Sequence, residues 1–409
     1  MNKITKSGIA AAVAFGAAAA LLVAPAAQAD PRDPSSGSYT LNRALNGTGS
    51  DTTQDVVNGL AAVVVDANDD LLIGSWDATI PAGQGSFIVT HTGGTSIPRP
   101  NGSTEGYNAL KAAINNQSLT NPRGTSSANL DDTDLQFARS SSGPRVPSSS
   151  GVLSYVPLAV DAVTYAVHED NTTLPRDLTL ADLQAIYHAS NGASVTLSNS
   201  QTYTVGLPGT GADIVPFRPQ AGSGTRSFWD STIGGTIGSA VSDSYTSGGV
   251  TVSVQEHDGK VLEDVPNAIV PFSIAQYLAQ TKVAANPSYY SGTYAGVTVT
   301  ERRHGAELAQ INSVAPISSG VLNTAFPVKR PVFNIIEHAA ISTNSDLAFA
   351  FVDDPATTTV VEGAVYSATR PGTSTLVIED FGFGSLGTSG VTINGTLYKA
   401  GDAENHRSN

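Results

Sequence analysis

The chain has 409 residues, a formal net charge of −14, no cysteine and 7 histidines. An acidic chain without runs of lysine or arginine is a poor match for nucleic acid or an anionic membrane surface. Without cysteine there can be no thiol nucleophile, no thiolate metal site and no lipid-modified cysteine after a leader.

Residues 1–29 read as a secretory signal. Lys3 and Lys6 start it, an apolar run follows from about Gly8 to Val23, and "AQA" at 27–29 has the small-x-small form of a cleavage site. Cleavage there leaves 409 − 29 = 380 residues from Asp30, with a net charge of −16 because both lysines leave and no acid does. No comparable apolar run recurs, so no membrane insertion is expected after cleavage. A chain of this length is expected to divide into two lobes.

Residues 30–37 form a polar Pro/Ser linker. Short apolar runs then alternate with helix-like segments, which predicts α/β construction. "TTQDVVNGLAAVV" puts Val56, Val57, Leu60 and Val64 on one helical stripe. "GSFIVTHTG" is strand-like. "STEGYNALKAAI" predicts a helix capped by Ser103, with Tyr107, Leu110 and Ile114 inward. "LQFARSS" reads as a buried strand entering a serine turn. The Ser/Pro/Gly-rich stretch 140–151 is a candidate connection between lobes.

"LSYVPLAVDAVTYAVH" is long and β-rich. "LTLADLQAIYHAS" predicts a helix capped by Thr179, with Leu180, Leu183, Ile186 and Tyr187 on its apolar face. "IVPFRP" predicts a strand, "VTVSVQEHDG" an alternating strand, and "NAIVPFSIAQYLAQT" a strand and then a helix. Strands are expected around "PVFNIIEHAAI", and "GVTINGTLYKAG" predicts a hairpin turning at Asn394-Gly395.

Three predicted helix starts share one composition: "GTGSDTT" (47–53), "RPNGSTEG" (99–106) and "RPQAGSGTR" (218–226). Each brings glycine and hydroxyls to a place where backbone N–H groups lack helical partners, which favours an anion. Glycine allows close approach to the backbone, and arginine offers a planar fork matched to tetrahedral oxyanions. Ordinary helix capping explains any one of these turns equally well. No Gly-Lys-Ser/Thr follows them, so they are not nucleotide phosphate loops.

The segments "GSDTTQDVVNGL", "FARSSSGP", "FRPQAGSGTRSFW" and "EDVPNAIVPFSIAQY" resemble the phosphate-binding proteins of ABC importers, in particular exported relatives of actinobacterial type. The resemblance covers roughly residues 40–385. It implies a type II periplasmic-binding-protein fold: two α/β lobes close over a ligand and two crossing strands form the hinge. Residues 38–152 plus 272–390 would form the first lobe and 153–271 the second, with 391–409 as a C-terminal hairpin and tail.

The implied phosphate-binding residues are Ser50, Asp51 and Thr52 in the first loop, and Ser103 and Thr104 in the second. Arg139 and Ser141 fall in the third, and Arg218, Ser223, Gly224 and Thr225 in the second lobe. The family commonly has an aspartate near the position of Ser141; Asp51 is the candidate to replace it. Arg218 stands one residue further from "GSGT" than is usual.

Several residues carry competing readings. Arg139 lies between an apolar strand and three serines, so its partner is either an anion or a carboxylate such as Asp51. Asp51 itself reads equally as a helix cap. Arg226 reads as a brace for its turn, and Phe228 and Trp229 as core. Glu256, His257 and Asp258 read as a polar turn, because adjacent strand positions point to opposite faces and would not converge on a metal. No metal motif and no Gly-x-Ser-x-Gly elbow is present.

The expected function is an exported, monomeric solute-binding protein that captures inorganic phosphate in an interlobe cleft, without cofactor or metal, and delivers it to an ABC permease. The alternatives are a secreted phosphoesterase on the same scaffold, a binder of another oxyanion, an organophosphate or a glycan, and a surface protein with a vestigial cleft.

Overall fold

The structure is a computed structural model that describes residues 30–31, 42–81, 84–352 and 363–409. The predicted signal, 1–29, and the linker beyond Pro31 lie outside the described residues.

A nine-stranded sheet runs through the molecule. Its strands are β1 (Leu45–Gly49), β2 (Ile73–Ser75), β3 (Phe137–Ser140), β4 (Leu153–His168), β5 (Val215–Pro216), β6 (Ala268–Ser273), β7 (Ala306–Leu308), β8 (Lys329–Glu337) and β9 (Arg407–Ser408). They lie in the order β5-β6-β4-β8-β3-β1-β2, with β7 and β9 also paired to β4.

Strand β4 sets the architecture. Its 16 residues are almost all buried, and an extended segment of that length reaches about 50 Å, more than one lobe needs. Its first half pairs antiparallel with β8, from Leu153 opposite Glu337 to Ala162 opposite Lys329. Its second half turns to β6, from Val163 opposite Ser273 to Ala166 opposite Val270. Strand β8 in turn pairs with β3. Two strands therefore carry the sheet from one lobe into the other.

Each lobe has its own core. Leu45, Val56, Leu60, Ile73, Phe137, Val156 and Phe381 belong to the first. Val163, Tyr165, Leu183, Trp229, Ile269 and Phe326 belong to the second. This is the two-lobe α/β class with two connecting strands that the sequence predicts.

The lobe boundaries differ from expectation in two places. Ala309, Ile311, Leu322, Phe326 and Val328 pack in the second core, so residues 306–328 leave the first lobe, to which 272–390 had been assigned. The cause is β7, which pairs with Ala166–His168 at the far end of β4 and draws the chain across. The segment 391–409 is no separate tail, because β9 pairs with Leu153 and Ser154 of β4.

The helices that position the lobe junction are α1 (Gln54–Ala61), α2 (Ser103–Ile114), α3 (Leu180–Tyr187), α4 (Gly224–Ile233), α5 (Lys260–Asp264) and α6 (Ile274–Ala285). Thr179 caps α3 as predicted, and Asp182 returns the bond in a capping box, an arrangement worth about 1 kcal/mol. Asn394 (φ 50°) and Gly395 (φ 81°) make the predicted two-residue hairpin turn. Among the described residues no helix is long and apolar enough to cross a membrane.

Candidate functional site

Four hydroxyl-bearing turns meet where the lobes face each other. Two follow strands β1 and β3, and two open helices α2 and α4. In α/β sheets the carboxyl ends of strands and the amino ends of helices collect ligands for a common reason: unpaired N–H groups point there.

The N-cap of α2 is Gly102 and not Ser103, and it makes no side-chain cap bond. Its φ is 104°, and a Cβ there would stand 2.7 Å from the Gly222 carbonyl of the opposite lobe. Glycine is thus required by both conformation and contact. Freed from capping, the Ser103 hydroxyl accepts the Ser141 N–H at 3.0 Å and lies 3.3 Å from the Ser141 hydroxyl. Ser50 donates to the same Ser141 Oγ at 3.0 Å. All three serines are buried.

The second lobe presses on this trio through α4. Ser223 caps the helix by accepting the Arg226 N–H at 2.9 Å. Gly224 follows, and a Cβ at that position would fall 2.2 Å from Ser141 Oγ and 2.4 Å from Ser103 Oγ.

Deeper in, Thr52 of the first lobe and Thr225 of the second lie with their hydroxyls 3.2 Å apart. Both donate to one oxygen, Oε2 of Glu256, at 3.0 and 3.1 Å. His257 Nε2 stands 2.9 Å from the Thr52 hydroxyl and 3.2 Å from the same Glu256 oxygen. Glu256 and His257 are each 1% exposed. The Ser273 N–H donates to His257 Nδ1 at 3.3 Å, which leaves the proton of a neutral ring on Nε2. The imidazole is therefore a donor to this cluster and not a base toward Thr52.

Burial alone would push the Glu256 carboxyl up. The hydrogen bond and the charge of His257, then the Ser223 hydroxyl and the Arg330 guanidinium, outweigh it and hold the group down at about 2. Its second oxygen, Oε1, is buried without a hydrogen-bond partner among the described residues.

The cation at this cluster is Arg330, on strand β8. It sits directly opposite Asp161 of β4 in the strand register. Arg330 Nε and Nη2 both donate to Asp161 Oδ2, at 3.0 and 2.8 Å. The other Asp161 oxygen accepts from the Ser273 hydroxyl and the Ala275 N–H. From this anchorage Arg330 donates to Thr225 Oγ1 at 3.0 Å, Thr52 Oγ1 at 3.4 Å and the Ser141 carbonyl at 3.2 Å. Two buried charges thus satisfy each other, with surplus donors aimed at both lobes.

The predicted residues divide accordingly. Ser50, Thr52, Ser103, Ser141, Ser223, Gly224 and Thr225 come together. Asp51 does not join them; its carboxylate faces Arg302 at 3.3 Å. Thr104 turns its hydroxyl to Arg145. Arg139 makes no ion pair with a carboxylate among the described residues. Its guanidinium donates to the Ser50 and Trp76 carbonyls and the Ser75 hydroxyl, bracing β1 and β2 from within the first lobe. Burial lowers its pKa to about 10, against the raising influence of Asp77 and Asp51. Arg218 pairs with Asp230 at 2.6 Å, and Arg226 pairs with Asp243 at 2.8 Å.

Four residues of the cluster escape the sequence reading: Asp161, Glu256, His257 and Arg330. A lone aspartate inside "PLAVDAVTYAV" was a usable signal, since a buried charge demands a partner. On a continuous strand Glu256 and His257 would face apart. The strand ends earlier, at Ser253, and His257 adopts a φ of 55°, which turns both side chains toward Thr52. Among the described residues no group of histidines and carboxylates could hold a metal ion.

No family model matches the chain, and no curated protein matches it. Solved structures of similar course include a protein described as a phosphate ABC transporter substrate-binding protein, with bound phosphate, from Clostridium perfringens. It is 15% identical, with 83% of this chain and 98% of that one covered at a TM-score of 0.43. A human phosphate binding apolipoprotein is 12% identical, over 89% of this chain and all of its own, with a TM-score of 0.40. A phosphate-binding protein from Stenotrophomonas maltophilia is 15% identical, over 84% and 91%, with a TM-score of 0.39. At such identities and scores, function has to be argued from the chain's own geometry.

Proposed function

We propose that the chain is an exported solute-binding protein whose lobe junction takes a small tetrahedral oxyanion, inorganic phosphate first. One observation carries this reading. Hydroxyls from both lobes, Thr52 and Thr225, converge with His257 Nε2 on a single buried anionic oxygen, and the Arg330 guanidinium donates to both hydroxyls. Ser50, Ser103 and Ser141 stand beside them. Donors arranged for one negative oxygen suit another, and each charge-assisted bond contributes about 1.5–3 kcal/mol before ordering costs. No metal and no covalent step is needed. Export follows from the signal-like segment, and hand-over to an ABC permease is the role that fits a two-lobed binder.

The test is calorimetric titration of protein freed of bound anion, with phosphate and separately with sulfate. Saturable heat with phosphate that disappears in Ser103→Asp supports the reading. Saturation by sulfate alone transfers the site to a different oxyanion. No saturable heat with either anion, from the unaltered chain or from Glu256→Ala, rejects it.

A further inference from the structure

We infer that Glu256 is a built-in occupant of the anion site: its carboxylate holds the place and the donors that a free oxyanion would take, so external anion enters only as Glu256 withdraws. This rests on reading the cluster as an anion site. It goes further in naming the residue that sets whether the site is open.

Contact geometry leaves no gap for a second anion. The Thr52 and Thr225 hydroxyls touch at 3.2 Å, and both already give their protons to Glu256 Oε2. Each hydroxyl has one proton to donate. An arriving phosphate oxygen would compete for those same protons.

Charge gives the same answer. The groups with fixed charge are Arg330, Asp161 and Glu256, and the Ser273 N–H occupies His257 Nδ1. Arg330 is already paired with Asp161, so Glu256 has no fixed cation of its own. A dianion beside that carboxylate would place three negative charges against nothing new, and like charges in contact cost several kcal/mol. Exchange of one anion for the other avoids this.

Glu256 also has somewhere to go. Its neighbour Gln255 lines two cavities between the lobes, of about 550 and 450 Å³. The first is bordered by Arg99, Asn101 and Arg123, and the second by Asp55, Thr300 and Arg302. Residues 255–258 lie outside any strand or helix; backbone bonds fix Val254 before them and the Gln280 amide holds the His257 carbonyl, so withdrawal of Glu256 turns on this short stretch.

Glu256→Ala and the near-isosteric Glu256→Gln, checked for folding by circular dichroism, are titrated with inorganic phosphate beside the unaltered chain. Their melting is followed with phosphate and with sodium formate. The expected result is phosphate affinity raised about a hundredfold in Glu256→Ala, a smaller rise in Glu256→Gln, and a melting temperature of Glu256→Ala that either anion restores. Equal phosphate affinity in all three proteins overturns the inference and leaves the phosphate reading standing. Formate rescue of Glu256→Ala without phosphate binding by any of the three upholds the inference and removes phosphate as the ligand. No rescue by either anion, in whichever variant folds, overturns the inference.

Discussion

Gly224 of the second lobe lies so close to Ser141 of the first that a Cβ would stand 2.2 Å from the serine hydroxyl. The two residues are 83 positions apart in sequence, and at this turn the lobes approach closely. Gly224 is the first residue of α4 and its φ is not left-handed, so alanine there meets no backbone strain.

Gly224→Ala should therefore act by steric wedging alone. Small-angle scattering is expected to show a larger radius of gyration than the unaltered chain has, with helix content by circular dichroism unchanged. An identical scattering profile would mean that Ser141 and Ser103 yield without moving the lobes.

The Asp161–Arg330 pair gives a second prediction. Removing one partner leaves the other charged and buried, which costs about 3–5 kcal/mol. Asp161→Leu should lower stability by that amount in urea denaturation. The double change Asp161→Leu/Arg330→Met should recover most of it, while anion binding stays lost. A double variant as unstable as the single one would show that the pair's hydrogen bonds to Ser273 and Ala275 matter more than its charges.

Arg139 and Arg330 are both buried, yet they predict different outcomes. Arg139 donates only within the first lobe, so Arg139→Lys should reduce stability and leave the affinity of the folded fraction for anion unchanged. Arg330→Lys keeps the charge but loses the fork that reaches Asp161, Thr52 and Thr225 at once, and should weaken binding. Titration calorimetry on both variants separates these roles.

Two buried carboxylates should give pH effects of opposite sign. Burial, with the Asp51 charge adding to it and Arg302 opposing, raises Asp55 from 3.8 to about 6. A folded-state value above the unfolded one stabilises the protein fully below pH 4, and that stability is lost as pH rises through about 6. Glu256, held at about 2, stabilises above its unfolded value of 4.5, and this is lost as pH falls toward 2. Each effect is on the order of 3 kcal/mol. Asp55→Asn should remove the decline in melting temperature between pH 4 and 6, and Glu256→Gln should flatten the acid limb below pH 4.5.

How much of this was legible in the sequence follows from what each residue does locally. The serine and threonine turns were visible because capping and anion binding ask for the same residues at the same helix ends. The long β-rich run 153–168 was visible in the sequence, whereas the two-strand crossing came only from the family resemblance. Arg330 was hidden, because its partner is set by strand register across 169 positions and nothing local records that. Arg139 and Arg218 looked more promising because they adjoin the turns, yet local carbonyls and Asp230 claim them. Glu256 was hidden because its chain direction depends on the positive φ of His257, a residue that does not advertise such a conformation.

The register match of Asp161 with Arg330 fixes the guanidinium to the axle of the molecule and not to either jaw. If the jaws part, the hydroxyls of Thr52 and Thr225 would leave with their own bodies, while the positive charge would remain at the pivot. Release of a bound anion would then begin with the loss of neutral donors on both sides and finish with escape from a stationary cation, so the last step should be the one most sensitive to ionic strength.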